Sequence, residues 1–396
     1  MTFHRTALAQ EMAQQLLNPS FLDKSLRSGL FLSGQRRVGK TTFLATDLIP
    51  ALEKEGAIVI YVDLWSQPQM DPAGLVYEAI KASLNELQSP GSGLLEKLKR
   101  VSSLNVGAAG FKFGFQLSNV GKEGGTSLAQ AFTELVDQTR TDVVLIIDEV
   151  QHALWSVEGD AMLHALKAAR DAINTRNQTP GYFLFVGTGS HRARVQELAV
   201  KGNQAFNGAL TREFPVLEQD FVEYILKQVQ PVLGAKTPSL SVATEAFKLL
   251  GNRPEELMKA LNVVRQLSPD AVVDEHFPTI AQSLGAAAAD VEIQKIETFG
   301  PLAEAVFSRI CKIGGNVRGS FTAPTLKDFS TELGREVTAG DVQGVLTLLT
   351  GANLLMRANH GEYCVTDSFV EKSWIARLKA DNILSLESPA NKLQRT

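Results

Sequence analysis

The chain of 396 residues carries a formal net charge of −4, and 44% of its residues are hydrophobic. This length accommodates two or three domains with separate cores, and the charge argues against a surface dominated by nucleic-acid contacts. Two cysteines, Cys311 and Cys364, are too few for a disulfide framework and lack metal-ligand spacing. With no apolar signal segment and no apolar run long enough to span a bilayer, the sequence predicts a soluble cytoplasmic protein without membrane contact.

The first informative element is a glycine-containing loop between a predicted strand and a predicted helix. Residues 1–28 predict a polar amphipathic helix, and Leu30-Phe31-Leu32 predicts a short buried strand. A helix-period run extends from Thr42 to Leu52. Between them, every fixed position of the pattern G-x-x-x-x-G-K-[ST] is met by Gly34, Gln35, Arg36, Arg37, Val38, Gly39, Lys40 and Thr41.

This loop predicts the binding of a nucleoside triphosphate together with Mg²⁺. Its glycines let the chain turn tightly, so that backbone N–H groups converge on phosphate oxygens at the positive end of the following helix. Lys40 is expected to reach the β and γ phosphates, and the hydroxyl of Thr41 to hold Mg²⁺. Thr42, the first residue of the predicted helix, is counted with the nucleotide-binding residues.

A second element supplies acidic side chains. The run from Val143 to Ile147 is apolar and rich in β-branched residues, which is typical of a strand buried on both faces of a parallel sheet, and Asp148 and Glu149 follow it. Ligands of such sheets bind at the carboxyl ends of the strands. Asp148 is therefore expected to ligate the Mg²⁺ held by Thr41, and Glu149 to orient and deprotonate an attacking water. The sequence thus predicts hydrolysis of the nucleotide.

The other segments of the predicted core, residues 29–217, alternate between strands and helices. Residues 101–126, rich in glycine with alternating aromatic residues, predict an inserted hairpin. The segment Gly187-Thr188-Gly189-Ser190 follows a buried strand, and Ser190 is expected to sense the γ-phosphate there. The alternation predicts an α/β P-loop NTPase sandwich with a parallel sheet. Two further strands are predicted over residues 57–64 and 182–186, and three helices are predicted over residues 71–87, 127–139 and 160–174.

Helices dominate the sequence from residue 218 onward. Residues 218–298 predict a helical lid, in which strand patterns are absent. Residues 299–378 predict three short helices followed by a hairpin, which is the arrangement of a winged helix. Residues 379–396 are interpreted as a tail.

The motifs together resemble those of the archaeal-type ATPase family, which belongs with the AAA+ and STAND signal-transducing NTPases. Gly34 to Thr41 resembles the family's G-x-R-R-x-G-K-[ST] loop, and Asp148-Glu149-Val150-Gln151 is similar to its D-E-x-Q motif. Gly187 to Ser190 is similar to its sensor-1 segment. Thr211-Arg212 resembles its G-R segment with threonine in place of glycine, and Gly251-Asn252-Arg253-Pro254 resembles its lid segment. The resemblance covers most of residues 28–265.

The resemblance implies an ATP-driven switch that closes or assembles around ATP and loosens after hydrolysis. Arg212 would be a finger arginine that contacts nucleotide at a subunit or domain interface. Arg253 would sense the γ-phosphate from the lid, and Arg36 and Arg37 would contact the neighbouring lid or protomer. Plainer interpretations stay open: a surface salt bridge for Arg212, and a residue at a helix start for Arg253.

The partner is the least determined part of the prediction. The predicted third helix of the winged helix, residues 338–349, contains no lysine or arginine and one aspartate. Because phosphate contacts supply much of the affinity for DNA, this helix favours a protein partner or other copies of the chain. The alternative is a DNA-associated ATPase of the origin-binding or transposition-regulator kind. A metabolic kinase is disfavoured, because no acceptor site is recognisable.

Overall fold

The computed structural model describes residues 2–67, 69–101, 110–122, 124–190, 192–200, 202, 204–359 and 361–387. The chain divides into two compact units, Met1–Pro215 and Val216–Thr396. Within the described residues, no helix combines the length and the apolar character needed to cross a membrane.

The first unit is built on a five-stranded parallel sheet. Its strand order is β2-β3-β4-β1-β5, so the strand that precedes the glycine-containing loop lies between the fourth and fifth strands of the chain. This arrangement confirms the predicted α/β class with a parallel sheet. The strands are β1 (Leu30–Ser33), β2 (Ile58–Asp63), β3 (Val143–Asp148), β4 (Phe183–Gly189) and β5 (Leu210–Glu213).

Helices flank the sheet in the first unit. The α-helices are α1 (Thr6–Leu17), α2 (Lys40–Phe43), α3 (Ile49–Lys54), α4 (Pro72–Gln88), α5 (Gly93–Val101), α6 (Leu128–Thr139), α7 (Val157–Asn174) and α8 (Arg192–Val200). A π turn joins α2 to α3, and 3-10 helices occupy three further segments. These irregular helices are Leu44–Leu48, Phe21–Ser28, Leu117–Asn119 and Val150–Trp155.

Strand β3 is buried on both faces, as its composition predicts. Val143, Leu145 and Ile147 belong to the larger core, which includes side chains of α4, α6 and α7. Val144 and Ile146 point to the opposite face and pack with side chains of α1 and of the helix after the loop. Because its two faces are filled, the carboxyl end of β3 is held in one position, and Asp148 is the last residue of the strand.

Three local predictions in the first unit need correction. The single helix expected over residues 1–28 is broken after Leu17, because Pro19 cannot continue it, and a 3-10 helix follows. The helix expected over 160–174 begins earlier, at Val157, where the Ser156 hydroxyl accepts a hydrogen bond from the Gly159 N–H. The described part of the expected hairpin, residues 110–122 and 124–126, contains no strand, and an isolated bridge joins Val120 to Thr126. Residues 102–109 and Glu123 lie outside the described residues.

The second unit is helical apart from one hairpin. Its α-helices are α9 (Gln219–Leu233), α10 (Leu240–Leu249), α11 (Pro254–Val264), α12 (Val273–Thr298), α13 (Pro301–Ile313), α14 (Ala323–Leu333), α15 (Ala339–Gly351) and α16 (Ser368–Glu387). Its two strands pair antiparallel with a register shift, and a single 3-10 turn among the described residues follows α9. These elements are β6 (Leu355–Asn359), β7 (Glu362–Val365) and Gly234–Lys236.

The C-terminal half of the second unit has the predicted order of three helices and a hairpin. Helices α13, α14 and α15 pack around a common core with Trp374 of α16 and with Leu355 and Tyr363 of the hairpin. The expected tail, residues 379–396, is in part helical, since α16 extends to Glu387. Residues 388–396 lie outside the described residues.

Candidate nucleotide site

The loop between β1 and α2 has a backbone that depends on its glycines. Gly39 has φ +89°, and it directly precedes the first residue of α2. A Cβ on Gly34 would lie 3.1 Å from the Cβ of Phe214, closer than side chains normally pack. Arg37 also adopts a positive φ, 66°, which is unusual for a residue with a side chain. The loop is therefore shaped tightly enough for its backbone to approach a ligand.

Lys40 is folded against its own loop. Its side chain is buried, and Nζ donates hydrogen bonds to the carbonyl oxygens of Gly34 at 2.7 Å and Gln35 at 2.6 Å. Burial lowers the pKa of Lys40, while the nearby charges of Glu149 and Asp148 act in the opposite direction. The ammonium group is thus held at the loop by neutral carbonyls, which a phosphate oxygen can replace with a stronger, charge-assisted bond.

The structure brings Thr41 and Asp148 into direct contact. The Thr41 hydroxyl donates to Asp148 Oδ2 at 2.6 Å, although the two residues are 107 positions apart in the sequence. The Tyr61 hydroxyl lies 3.4 Å from the same oxygen, and the Thr188 hydroxyl donates to Oδ1. Asp148 itself is almost fully buried. The Asp148 carboxylate therefore lies within hydrogen-bond distance of three hydroxyl groups at the carboxyl end of the sheet.

This donor set suits Mg²⁺. A buried carboxylate beside a threonine hydroxyl offers the hard oxygen ligands that this ion prefers, with the remaining positions left to water and phosphate. Thr41 and Asp148 are the residues that would hold it. Elsewhere in the described part of the chain, no group of three or more His, Cys, Asp or Glu side chains is arranged to hold a metal ion.

Glu149 is fixed by side chains that surround its carboxylate. Its Oε2 accepts hydrogen bonds from the Ser190 hydroxyl at 2.8 Å and from the Gln151 amide at 2.5 Å. The backbone of Glu149 is left-handed, with φ 53°, a conformation that costs energy for a residue with a side chain. Such strain is common where a side chain must be aimed at one point. Glu149 thus lies beside Asp148, with Ser190 from the end of β4 as its neighbour.

The glycines at the end of β4 make room for this arrangement. A Cβ on Gly189 would lie 2.0 Å from the side-chain oxygen of Gln151, and one on Gly187 would lie 2.7 Å from the ring of Phe31. The sequence predicted a role for Ser190 but none for Thr188, and it identified Gln151 through the D-E-x-Q motif. Both side chains are buried in the site. Thr188 follows Gly187, which pairs with Ile147, so strand register puts Thr188 level with Asp148.

Arg36 connects the loop to the same cluster. Its Nε donates to the Ser190 hydroxyl at 3.3 Å, and its guanidinium carbon lies 5.2 Å from the centroid of the Trp65 ring. Trp65 in turn packs edge-on against His152. Among the remaining loop residues, Val38 is buried, and Thr42 lies exposed on α2.

The other two predicted site arginines are engaged elsewhere. Arg212, on β5, donates to the Gln15 side chain of α1 at 2.5 Å and lies 4.0 Å from Asp23. Arg253 belongs to the second unit, where its guanidinium pairs with Asp367 and lies 5.1 Å from the centroid of the Phe369 ring. The structure therefore groups six of the predicted residues in one site, and it gives Arg212 and Arg253 other neighbours. The six are Gly34, Arg36, Lys40, Thr41, Asp148 and Glu149, with Ser190 beside them.

Comparisons with known proteins agree with this geometry. Residues 23–195 match the family model described as AAA domain. The fold is similar to that of a Walker-type ATPase of Pyrococcus abyssi, with a TM-score of 0.54 and 19% identity over 92% of this chain and 95% of the other. It is also similar to the ORC2 protein of Aeropyrum pernix in its ADP form, with a TM-score of 0.54 and 12% identity over 95% of each chain. No curated protein sequence matches the chain.

The matched segment contains β1, the loop, β3, the acidic pair and β4, which are the elements that form the site. The structural similarities extend over nearly the whole chain and bear on the fold. Residues 23–195 therefore resemble an AAA domain, and the fold of the chain is that of a P-loop NTPase, similar to the Walker-type ATPase of Pyrococcus abyssi and the ORC2 protein of Aeropyrum pernix.

Proposed function

We propose that the protein is a Mg²⁺-dependent, ATP-hydrolysing molecular switch of the AAA+/STAND type. The observation that carries the proposal is the 2.6 Å contact between Thr41 and Asp148, with Lys40 and Glu149 beside it. One site thus holds a phosphate-binding cation, a pair of magnesium ligands and a carboxylate base. A protein that only bound nucleotide would have less use for Glu149.

In the proposed reaction, Lys40 and the loop backbone bind the β and γ phosphates of ATP. Mg²⁺, held by Thr41 and Asp148, would neutralise the phosphate charge. Glu149 accepts a proton from a water molecule as the water oxygen bonds to the γ-phosphorus, and the bond from that phosphorus to the β–γ bridging oxygen breaks. The products are ADP and inorganic phosphate. Ser190, which contacts Glu149, is proposed to sense the terminal phosphate as well.

The proposed output of the switch is a protein contact, with a protein partner or with other copies of the chain. Helix α15 supports this, because its exposed residues carry no positive charge: they are Ala339, Gly340, Asp341, Gln343, Gly344, Thr347, Leu348 and Gly351. A surface that binds duplex DNA needs lysine or arginine to replace the counterions of the phosphates. We propose that α13, α14, α15 and the hairpin form a winged helix used in this way.

Steady-state ATP turnover, measured with and without duplex DNA, tests the proposal. The purified protein should hydrolyse ATP, Glu149→Gln should reduce the rate by at least about a hundredfold, and DNA should leave the rate unchanged. Turnover that rises with DNA would instead support a DNA-associated ATPase. Equal rates for the wild type and Glu149→Gln would show that Glu149 is not the base.

A further inference from the structure

A chain of three contacts links the surface of the protein to Glu149. The indole of Trp65, 47% exposed as a residue, lies 5.2 Å from the guanidinium carbon of Arg36. Arg36 Nε donates to the Ser190 hydroxyl at 3.3 Å, and that hydroxyl donates to Glu149 Oε2 at 2.8 Å. Ser190 is buried, whereas Arg36 is exposed to solvent.

The direction of these bonds is set by the chemistry of a hydroxyl group. Ser190 Oγ has one proton, and Arg36 can only donate to it, since a guanidinium has no acceptor. One of the two lone pairs of Ser190 Oγ is therefore taken by Arg36, and the hydroxyl proton is directed to Glu149. As long as Arg36 stays in this position, one oxygen of Glu149 is occupied by Ser190 and Gln151 and is poorly placed to accept a proton from water.

Arg36 also lies within reach of the phosphate site. It belongs to the binding loop, four residues before Lys40, and its positive charge contributes to lowering the pKa of Lys40. Its present partners are a neutral hydroxyl and an aromatic ring, whereas a γ-phosphate carries the opposite charge and can accept two parallel N–H bonds from a guanidinium. The γ-phosphate of a nucleoside triphosphate therefore competes with Ser190 and Trp65 for Arg36, whereas a nucleoside diphosphate has no γ-phosphate.

We infer that Arg36 is a switch residue that reports the γ-phosphate to Glu149 through Ser190 and to the protein surface through Trp65. When a nucleoside triphosphate binds, the guanidinium leaves Ser190 and Trp65 for the γ-phosphate. The Ser190 hydroxyl is then free to rotate away from Glu149 Oε2, which keeps its hydrogen bonds from the Gln151 amide and the Ser190 backbone N–H and loses the one that Arg36 oriented. When ADP is bound, Arg36 keeps its contacts with Trp65 and Ser190. The inference rests on the proposed function, since it concerns the same nucleotide site.

Tryptophan emission tests the surface part of the inference. The signal of Trp65 is obtained as the difference between the wild type and Trp65→Phe, measured with ADP and with the non-hydrolysable triphosphate AMP-PNP. AMP-PNP should change the emission of Trp65 and its quenching by iodide, and ADP should not. Arg36→Ala should abolish the difference between the two nucleotides. Arg194→Ala, which removes an exposed arginine on α8 that pairs with Glu197, should retain it.

Binding of a fluorescent ADP analogue separates failure of this inference from failure of the proposed function. For Arg36→Ala, the preference for AMP-PNP over ADP, measured by displacement of the analogue, should fall about tenfold, and an unchanged circular-dichroism spectrum shows that the variant is folded. If the wild type binds neither nucleotide, the proposed function and the inference both fail. If it binds both and the Trp65 signal is the same for ADP and AMP-PNP, the inference fails and the proposed function stands.

A double-mutant cycle tests whether Arg36 acts through Ser190. If it does, the double variant Arg36→Ala/Ser190→Ala should have the same turnover as Ser190→Ala alone, because Arg36 acts on Glu149 only through that hydroxyl group. Effects of the two substitutions that multiply would show that the residues act independently and would overturn the relay.

Discussion

At the scale of single residues, Lys40 shows how a binding function conflicts with stability. Its ammonium group is buried and is satisfied by the carbonyl oxygens of Gly34 and Gln35. Burial lowers its pKa, which means that the charged form is less favourable in the folded chain than in the unfolded chain. Until a phosphate arrives, the positive charge therefore destabilises the fold.

We expect Lys40→Met to abolish nucleotide binding and to raise the free energy of unfolding of the nucleotide-free protein by about 1 kcal/mol. Chemical denaturation near neutral pH measures the second effect. Because the folded chain binds fewer protons than the unfolded chain between the lowered pKa and the ordinary value of 10.5, wild-type stability rises with pH through that window. The difference in the free energy of unfolding between the wild type and Lys40→Met should therefore become smaller over that pH range.

The exposed Lys54, on α3, supplies the matched control for this experiment. Lys54→Met should change neither nucleotide binding nor stability beyond about 0.5 kcal/mol. A Lys40→Met variant that is less stable than the wild type at neutral pH would mean that the two carbonyl contacts outweigh the burial of the charge.

At the scale of elements, the end of β4 is as important as the binding loop. The glycines at 187 and 189 leave space for Phe31 and Gln151, and the residues between and after them, Thr188 and Ser190, contact Asp148 and Glu149. The absence of side chains on the two glycines thus leaves space for Thr188 and Ser190 to contact the acidic pair. The packing of this segment, as much as its polar groups, positions Glu149.

Gly189→Ala should destabilise the protein by about 2 kcal/mol and displace Gln151 from Glu149, because the added Cβ would lie 2.0 Å from the Gln151 oxygen. Denaturant titration gives the first quantity. Gly93→Ala, at a glycine of α5 with no atom near the added Cβ, is the control and should be neutral or slightly stabilising. Equal stability of the two variants would show that the segment tolerates a side chain at position 189.

The binding loop and β3 could be predicted from the sequence because each is determined locally. The loop needs glycines and a lysine at fixed spacing, and β3 is an unbroken apolar run. Contacts that depend on register between distant strands could not be predicted in this way: Thr188 meets Asp148 only because β4 lies beside β3. The bounds of α12 within the predicted helical region could not be predicted either, since Pro278 near its start and the small residues from Gly285 to Ala289 obscure its apolar period.

At the scale of the whole molecule, the open question is how nucleotide state reaches a partner. Arg212 was predicted as a finger arginine at an interface, and in the structure it contacts Gln15 and Asp23 of its own unit. Its side chain is one-third exposed, with 34% of its surface accessible. The Arg212 guanidinium can either stabilise the fold through Gln15 and Asp23, or leave these partners and contact a nucleotide bound by a neighbouring protomer.

The finger proposal predicts that Arg212→Ala lowers ATP turnover by at least about tenfold and weakens ATP-dependent self-assembly in analytical ultracentrifugation. Gln15→Ala is the matched control, because it removes the partner of Arg212 within the unit and keeps the guanidinium. This variant should retain turnover and assembly. If both variants only lose stability and hydrolyse ATP at the wild-type rate, Arg212 has a structural role.

The most direct test of the account is the identity of the nucleotide that stays bound after the protein is mixed with ATP and Mg²⁺. We expect ADP to remain bound to the wild type and unhydrolysed ATP to remain bound to Glu149→Gln, because the loop, Lys40, Thr41 and Asp148 are intact in both proteins. Chelation of Mg²⁺ with EDTA before mixing should prevent hydrolysis by the wild type. ADP on both proteins, or hydrolysis that persists in EDTA, would contradict the assignment of Glu149 as the base or of Thr41 and Asp148 as the magnesium ligands.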